Sequence, residues 1–144
     1  MTGDCQIDFY VLKSPGLDVR RLACKLALMA WERGHDISVL AETEAEAADL
    51  NELMWATPAE RFLPHEIQAG AGARKAPVSI GLLAGLNEAD VVINLGQHPV
   101  PEPGRFRRLL EIVPQKGPGL EASRDKFRYY RDQGITPQMH EINQ

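Results

Sequence analysis

The sequence predicts an α/β fold: a three-layer sandwich with a mostly parallel central sheet, nucleotide-binding-like but without a phosphate loop. Three observations carry that expectation. Short apolar runs alternate with segments of helical periodicity, the order that lays helices on both faces of a parallel sheet. Val91-Val92-Ile93 is apolar on consecutive residues, as a strand buried on both faces requires. The turn after the first strand, Lys13-Ser14-Pro15-Gly16, matches neither glycine-rich pattern that wraps a pyrophosphate in backbone amides.

Taken in order, Ile7 to Leu12 is an apolar and aromatic run and reads as the first strand. Ser14-Pro15 is expected to open a helix, with proline at the first position, where its missing N–H costs nothing. Val19, Leu22, Ala23, Leu26, Ala27 and Ala30 recur at helical spacing, while Arg20, Arg21 and Lys25 take other faces and Gly34 stops the helix. Ile37 to Leu40 is a short buried strand, and Thr43 with Glu46 forms a capping-box pattern that starts a second helix through Leu50, Leu53 and Met54. Pro58 and Pro64 break regular structure between Trp55 and His65, and Gln68 to Pro77 reads as a polar, glycine-rich loop. Val78 to Leu83 and Asp90 to Leu95 are two further strands. Pro99, Pro101 and Pro103 exclude a regular element from Gln97 to Gly104. Arg105 to Leu110 is expected to form a helical turn, Leu109 to Val113 a last strand and Leu120 to Gln133 the last helix. No internal repeat or linker divides residues 1–144, so a single domain is expected.

The composition, 44% hydrophobic and 25% charged over 144 residues, is that of a globular chain able to bury its own core. A net charge of −4 opposes direct coating of nucleic acid, so contact with DNA is expected to be indirect. Cys5 and Cys24 have no C-x-x-C spacing, and Met1 to Gln6 lacks the apolar core of a secretory leader, which together point to a reducing cytoplasm. No apolar run approaches the roughly 18 residues of a membrane span.

Catalytic patterns are missing. His35, His65, His98 and His140 are scattered with no i+3 or i+4 partner, so no metal is expected, and none of Ser14, Ser38, Ser79 and Ser123 sits in G-x-S-x-G. Gly70-Ala71-Gly72-Ala73-Arg74-Lys75 is glycine-rich but precedes Pro77 and a strand, whereas a phosphate site needs a helix terminus after it. No catalytic residue and no cofactor are assigned.

The last helix is more informative. Arg124, Phe127, Arg128 and Arg131 fall at i, i+3, i+4 and i+7, so three guanidinium groups and a ring share one stripe. Arginine forks hold carboxylates bidentately, and a ring beside them accepts an apolar side chain. Glu121, Asp125 and Asp132 lie along the neighbouring edge, so a solvated helix laced with ion pairs also fits these charges. Charge segregation favours a receptor. Residues 105–131 carry eight basic residues against three acidic, and the remainder eight against seventeen.

Three ordered blocks then resemble one family: Phe9-Tyr10-Val11-Leu12; the segment from Leu53 to His65 with Trp55, Phe62 and Pro64; and Arg124 to Arg131. Together they are similar to the chi subunit of bacterial DNA polymerase III over nearly the whole chain. The resemblance implies a non-catalytic accessory subunit of the replicative polymerase. Its implied partners are the acidic C-terminal tail of the single-stranded-DNA-binding protein, the psi subunit that links it to the clamp loader and, in some members, an iron-sulfur DNA helicase. By the same resemblance Arg124, Phe127, Arg128 and Arg131 match the tail-binding positions, with Phe127 where tyrosine is frequent. Trp55 and Phe62 match aromatic positions of the psi or helicase surface; the competing expectation for both is ordinary core filling. Two other classes stay open from the residues alone, a degenerate nucleotide-binding enzyme and a direct single-stranded DNA binder, the latter needing exposed aromatics along a basic groove.

Overall fold

A computed structural model describes residues 5–14, 16, 18–56, 64–67, 76–86 and 89–143. Among these residues seven strands form one sheet: β1 (Gln6–Leu12), β2 (Ile37–Ala41), β3 (His65–Ile67), β4 (Val78–Leu82), β5 (Val91–Asn94), β6 (Arg108–Val113) and β7 (Gln138–Ile142). Their spatial order is β3-β4-β2-β5-β6-β1-β7, and every pairing is parallel. Among the described residues three α-helices cover it: α1 (Val19–Glu32), α2 (Glu44–Ala56) and α3 (Pro118–Asp132).

The core divides into two layers because side chains alternate across the sheet. Leu12, Val39, Ile80, Ile93 and Leu110 pack with Ala23, Ala27, Leu50 and Met54 of α1 and α2. Ile7, Phe9, Val92, Leu109 and Val113 form the opposite layer with Tyr130 and Phe127 of α3. The three-layer α/β expectation therefore holds, with a sheet that is wholly parallel.

Several local expectations are corrected. Helix α1 begins at Val19, not at Ser14-Pro15, because the Asp18 side chain caps it by accepting from Arg20 N at 2.8 Å. Ser14 instead donates its hydroxyl to the Asn143 carbonyl beyond β7. No helical turn runs from Arg105 to Leu110: a single 3-10 turn spans Pro103–Arg105 and β6 starts at Arg108. Helix α3 opens two residues earlier than expected, with Pro118 in its first turn after Gly117 at φ +95°. The capping box at α2 does form, with Glu46 N donating to Thr43 Oγ1 at 3.2 Å, although the Glu46 carboxylate reaches back to Glu42 N. Strands β3 and β7 had no counterpart in the sequence reading.

Cys5 and Cys24 are free, buried in opposite layers, and burial pushes both thiols up to about 11. They stay protonated at neutral pH. No described helix is long and apolar enough to cross a membrane.

On the α1 side of β1, Asp8 is buried and accepts from Arg108 Nε at 2.8 Å, while His140 Nε2 lies 2.7 Å from its other oxygen. Burial raises the Asp8 carboxyl, but the hydrogen bonds from His140, Arg108 and Gln6 outweigh it and hold the group below its usual 3.8. A depressed acid contributes stability that is present above pH 3.8 and is lost as pH falls through its lower folded-state value. Asp8→Asn is accordingly expected to cost about 2 kcal/mol at neutral pH and to flatten the acid limb of the stability profile. Urea melts from pH 2 to pH 7 check this; a variant with an unchanged acid limb contradicts it.

Candidate functional site

Residues 123, 126 and 130 of α3 point into the sheet, and all three are buried. Arg124, Arg128 and Arg131 lie on the outer side and are exposed, with Phe127 half-buried between the two sets. The helix thus presents the predicted stripe outward. Arg128 Nη2 is 3.3 Å from Asp125 Oδ1 in a solvent-exposed pair. Neither Arg124 nor Arg131 makes an ion pair with a described residue. On the solvated-helix reading Glu121 could also reach Arg124, and Arg128 could reach Asp132, but neither pair forms, so ion pairing within the helix occupies one of the three guanidinium groups.

The ring of Phe127 is anchored rather than loose. It meets Phe9 of β1 edge-on, with centroids 5.5 Å apart and planes at 72°, and Phe9 in turn meets Tyr130 at 6.1 Å. Phe9 is paired in register with Met139 of β7, and register partners in a parallel ladder project from the same face. Met139 is 55% exposed and continues the face of Phe9 one strand further toward the sheet edge. Sequence reasoning missed Met139, because β7 itself was not recognised. The only available signal was an apolar residue among polar neighbours.

Lys126, counted among the basic residues of this region, contributes nothing to the surface charge. It is 4% exposed and donates to Glu111 Oε1 at 2.9 Å and to the Gly96 carbonyl at 2.5 Å. Glu111 Oε2 accepts from the Tyr130 hydroxyl at 2.6 Å and from Asn94 Nδ2 at 2.9 Å. Asn94 also donates to His98 O at 2.8 Å, and the Tyr130 oxygen accepts from Val100 N at 3.0 Å. Burial pushes the Glu111 carboxyl up, opposed by the Lys126 ammonium and by the hydrogen bonds of Tyr130, Lys126 and Asn94. Every group reaching Glu111 is a donor, which is the arrangement of an ionised carboxylate. Burial, and then Glu111, push the Tyr130 hydroxyl far above its usual range, so it remains a donor. These side chains fill the region beyond β5 and toward the end of β6, where doubly wound sheets commonly take ligands.

At the far edge of the sheet Trp55, on the last turn of α2, is 57% exposed and packs on His65 of β3 with centroids 4.6 Å apart. Core filling does not describe it. Ile67 of β3, 44% exposed, lies on the same edge strand. Phe62 lies outside the described residues, as do positions 68–75 of the glycine-rich loop. Among the described residues no group of three His, Cys, Asp or Glu side chains is placed to hold a metal ion. A groove of about 440 Å³ runs between Leu22, Lys25 and Met29 of α1 and Tyr10, Leu12 and Ile142 of the sheet, away from α3.

Fold and surface together define a parallel-sheet α/β domain that offers a cationic-aromatic helix face on one side of its sheet and an exposed tryptophan at the opposite edge. Residues 5–138 match the family described as "DNA polymerase III chi subunit, HolC", and the chain belongs to that family. It is 34% identical over 139 residues to DNA polymerase III subunit chi of Pseudomonas aeruginosa, covering 95% of this chain and 96% of that one. It is 31% identical over 121 residues to the Escherichia coli subunit chi, covering 82% of each, and 29% identical over 129 residues to that of Haemophilus influenzae, covering 88% and 90%. The chain is therefore a subunit of a DNA polymerase III, a complex of DNA replication. A solved structure, the crystal structure of T4 UvsW, superposes with a TM-score of 0.74 at 9% identity. The match covers 97% of this chain and 42% of that one, and at that identity it shows shared fold alone.

Proposed function

We propose that the chain is a connector within the polymerase, with no active site of its own, whose α3 face binds the acidic C-terminal tail of the single-stranded-DNA-binding protein. The observation that carries this reading is the exposed row of Arg124, Arg128 and Arg131 flanking an anchored Phe127, with Met139 continuing the face of Phe9 toward the sheet edge. The terminal carboxylate of the tail pairs with Arg124 or Arg128, its last apolar ring packs on Phe127 and Met139, and its upstream acids lie in the field of Arg131. Arg128 exchanges Asp125 for the ligand readily, because a pair that open to solvent is worth under about 1 kcal/mol.

The second surface in this reading is the Trp55 edge, which pairs with the psi subunit and through it with the clamp loader, and which an iron-sulfur helicase uses in the same way. Its support is an indole 57% exposed on the last turn of α2, with the exposed Ile67 on the adjoining edge strand, the arrangement of an anchor for a partner helix. DNA is reached only through these proteins, and the chain works in the cytoplasm.

A fluorescence titration with an acidic peptide ending in phenylalanine tests the tail site. Arg124→Ala and Arg128→Ala are each expected to weaken binding by about 2 kcal/mol, or roughly thirtyfold, and added salt to weaken it further. Native affinity in both variants removes the tail site. Trp55→Ala is expected to leave peptide binding unchanged while reducing co-purification with psi, since exposed aromatics on separate edges do not couple. A shift of bare oligonucleotide by the chain alone would favour direct DNA binding instead.

A further inference from the structure

Burial alone does not specify how α3 is rotated about its own axis. An apolar seam holds a helix against a sheet but tolerates small rotations, whereas hydrogen bonds are directional. In this fold the direction is supplied by one carboxylate. Glu111 projects from β6 into the α3 layer and grips the helix at two points one turn apart, Lys126 and Tyr130. The same two side chains, with Asn94, hold the segment after β5 at Gly96 O, His98 O and Val100 N. Helix, strand and segment are thus clamped to a single buried acid, and no buried polar side-chain atom among the described residues is left without a partner.

An ion pair in such a position is poor evidence of stabilisation, because apolar side chains of similar volume often serve as well. Its geometric effect is what they do not reproduce. One residue of helix corresponds to about 100° of rotation, so even a fraction of that step carries the arginine row away from β7 and Met139. We propose that Glu111 is a positioning residue for the tail receptor: by fixing Lys126 and Tyr130 it sets the rotation of α3 and hence where Arg124, Phe127 and Arg128 stand. The proposal rests on the acidic-tail reading of that face.

The test is titration of the native chain and its variants with the same fluorescent acidic peptide ending in phenylalanine, each below its unfolding transition and scored per folded molecule. The double variant Glu111→Gln/Lys126→Met removes both charges while the amide oxygen still accepts from Tyr130 and Asn94. It is expected to bind roughly three- to thirtyfold more weakly. Tyr130→Phe keeps the ring and removes only the hydroxyl that joins Val100 to Glu111; it shifts affinity the same way by less and serves should the double variant fail to fold. Leu50→Ala destabilises the opposite core layer and is expected to bind as the native chain does, which separates positioning from general loss of stability. Native affinity in Tyr130→Phe and in any folded double variant overturns the proposal. A native chain that does not bind the peptide overturns the tail reading itself, and this proposal with it.

Discussion

Lys126→Met is expected to destabilise the fold by about 3–5 kcal/mol, the cost of leaving a buried carboxylate without its counter-ion. Glu111 is fully buried, so water cannot take over the role of the ammonium, and the Gly96 carbonyl loses its donor at the same time. Two responses are open to the variant: unfold more readily, or take up a proton on Glu111. The second still costs, because the Tyr130 hydroxyl and Asn94 amide are already committed as donors to that carboxyl. Urea melts at neutral pH provide the measurement. A lower midpoint with an unchanged slope is the expected form, and a loss below about 1 kcal/mol would mean that the pair contributes little. Removing both charges together is expected to cost less than removing the lysine alone, since no unpaired ion then remains.

Phe9→Ala has a comparable expected effect, about 3–5 kcal/mol, because it opens a cavity where three rings meet. Phe9 is 1% exposed and lies between Phe127 and Tyr130, so neither neighbour can move into the space without leaving its own contacts. The same change frees Phe127 from its edge-on support. Tail affinity per folded molecule is therefore expected to fall as well, although Phe9 itself is out of the ligand's reach. Thermal melts and the peptide titration check the two parts separately. Full affinity in a folded Phe9→Ala chain would show that Phe127 keeps its orientation without the ring beneath it.

What could be read from residues follows from where they end up. Strand β5 was legible because Val91, Val92 and Ile93 are all buried, and a strand covered on both faces has a continuous apolar run. Strand β7 was not, because Gln138-Met139-His140-Glu141-Ile142 pairs on one side alone and is largely exposed. Its strand character comes from the β1 ladder rather than from its own side chains. Strand β3 is three residues long, too short for any periodicity. The arginine stripe was legible because helical spacing places those residues on one side whatever the helix packs against. Lys126 was counted with the other basic residues of 105–131 because a buried lysine is intelligible only through its partner, and Glu111 is fifteen residues away in the chain.

Order and type of the principal elements, the parallel sheet and the cationic-aromatic row of α3 are local or periodic properties, so residue pattern was enough to specify them. Which way α3 faces, that Met139 shares the face of Phe9, that Trp55 is exposed and that Lys126 is hidden depend on contacts between different elements. Those contacts are set when two core layers and one buried carboxylate are satisfied at once. No helical or strand periodicity links the two members of such a pair, and that is why folding alone decides them.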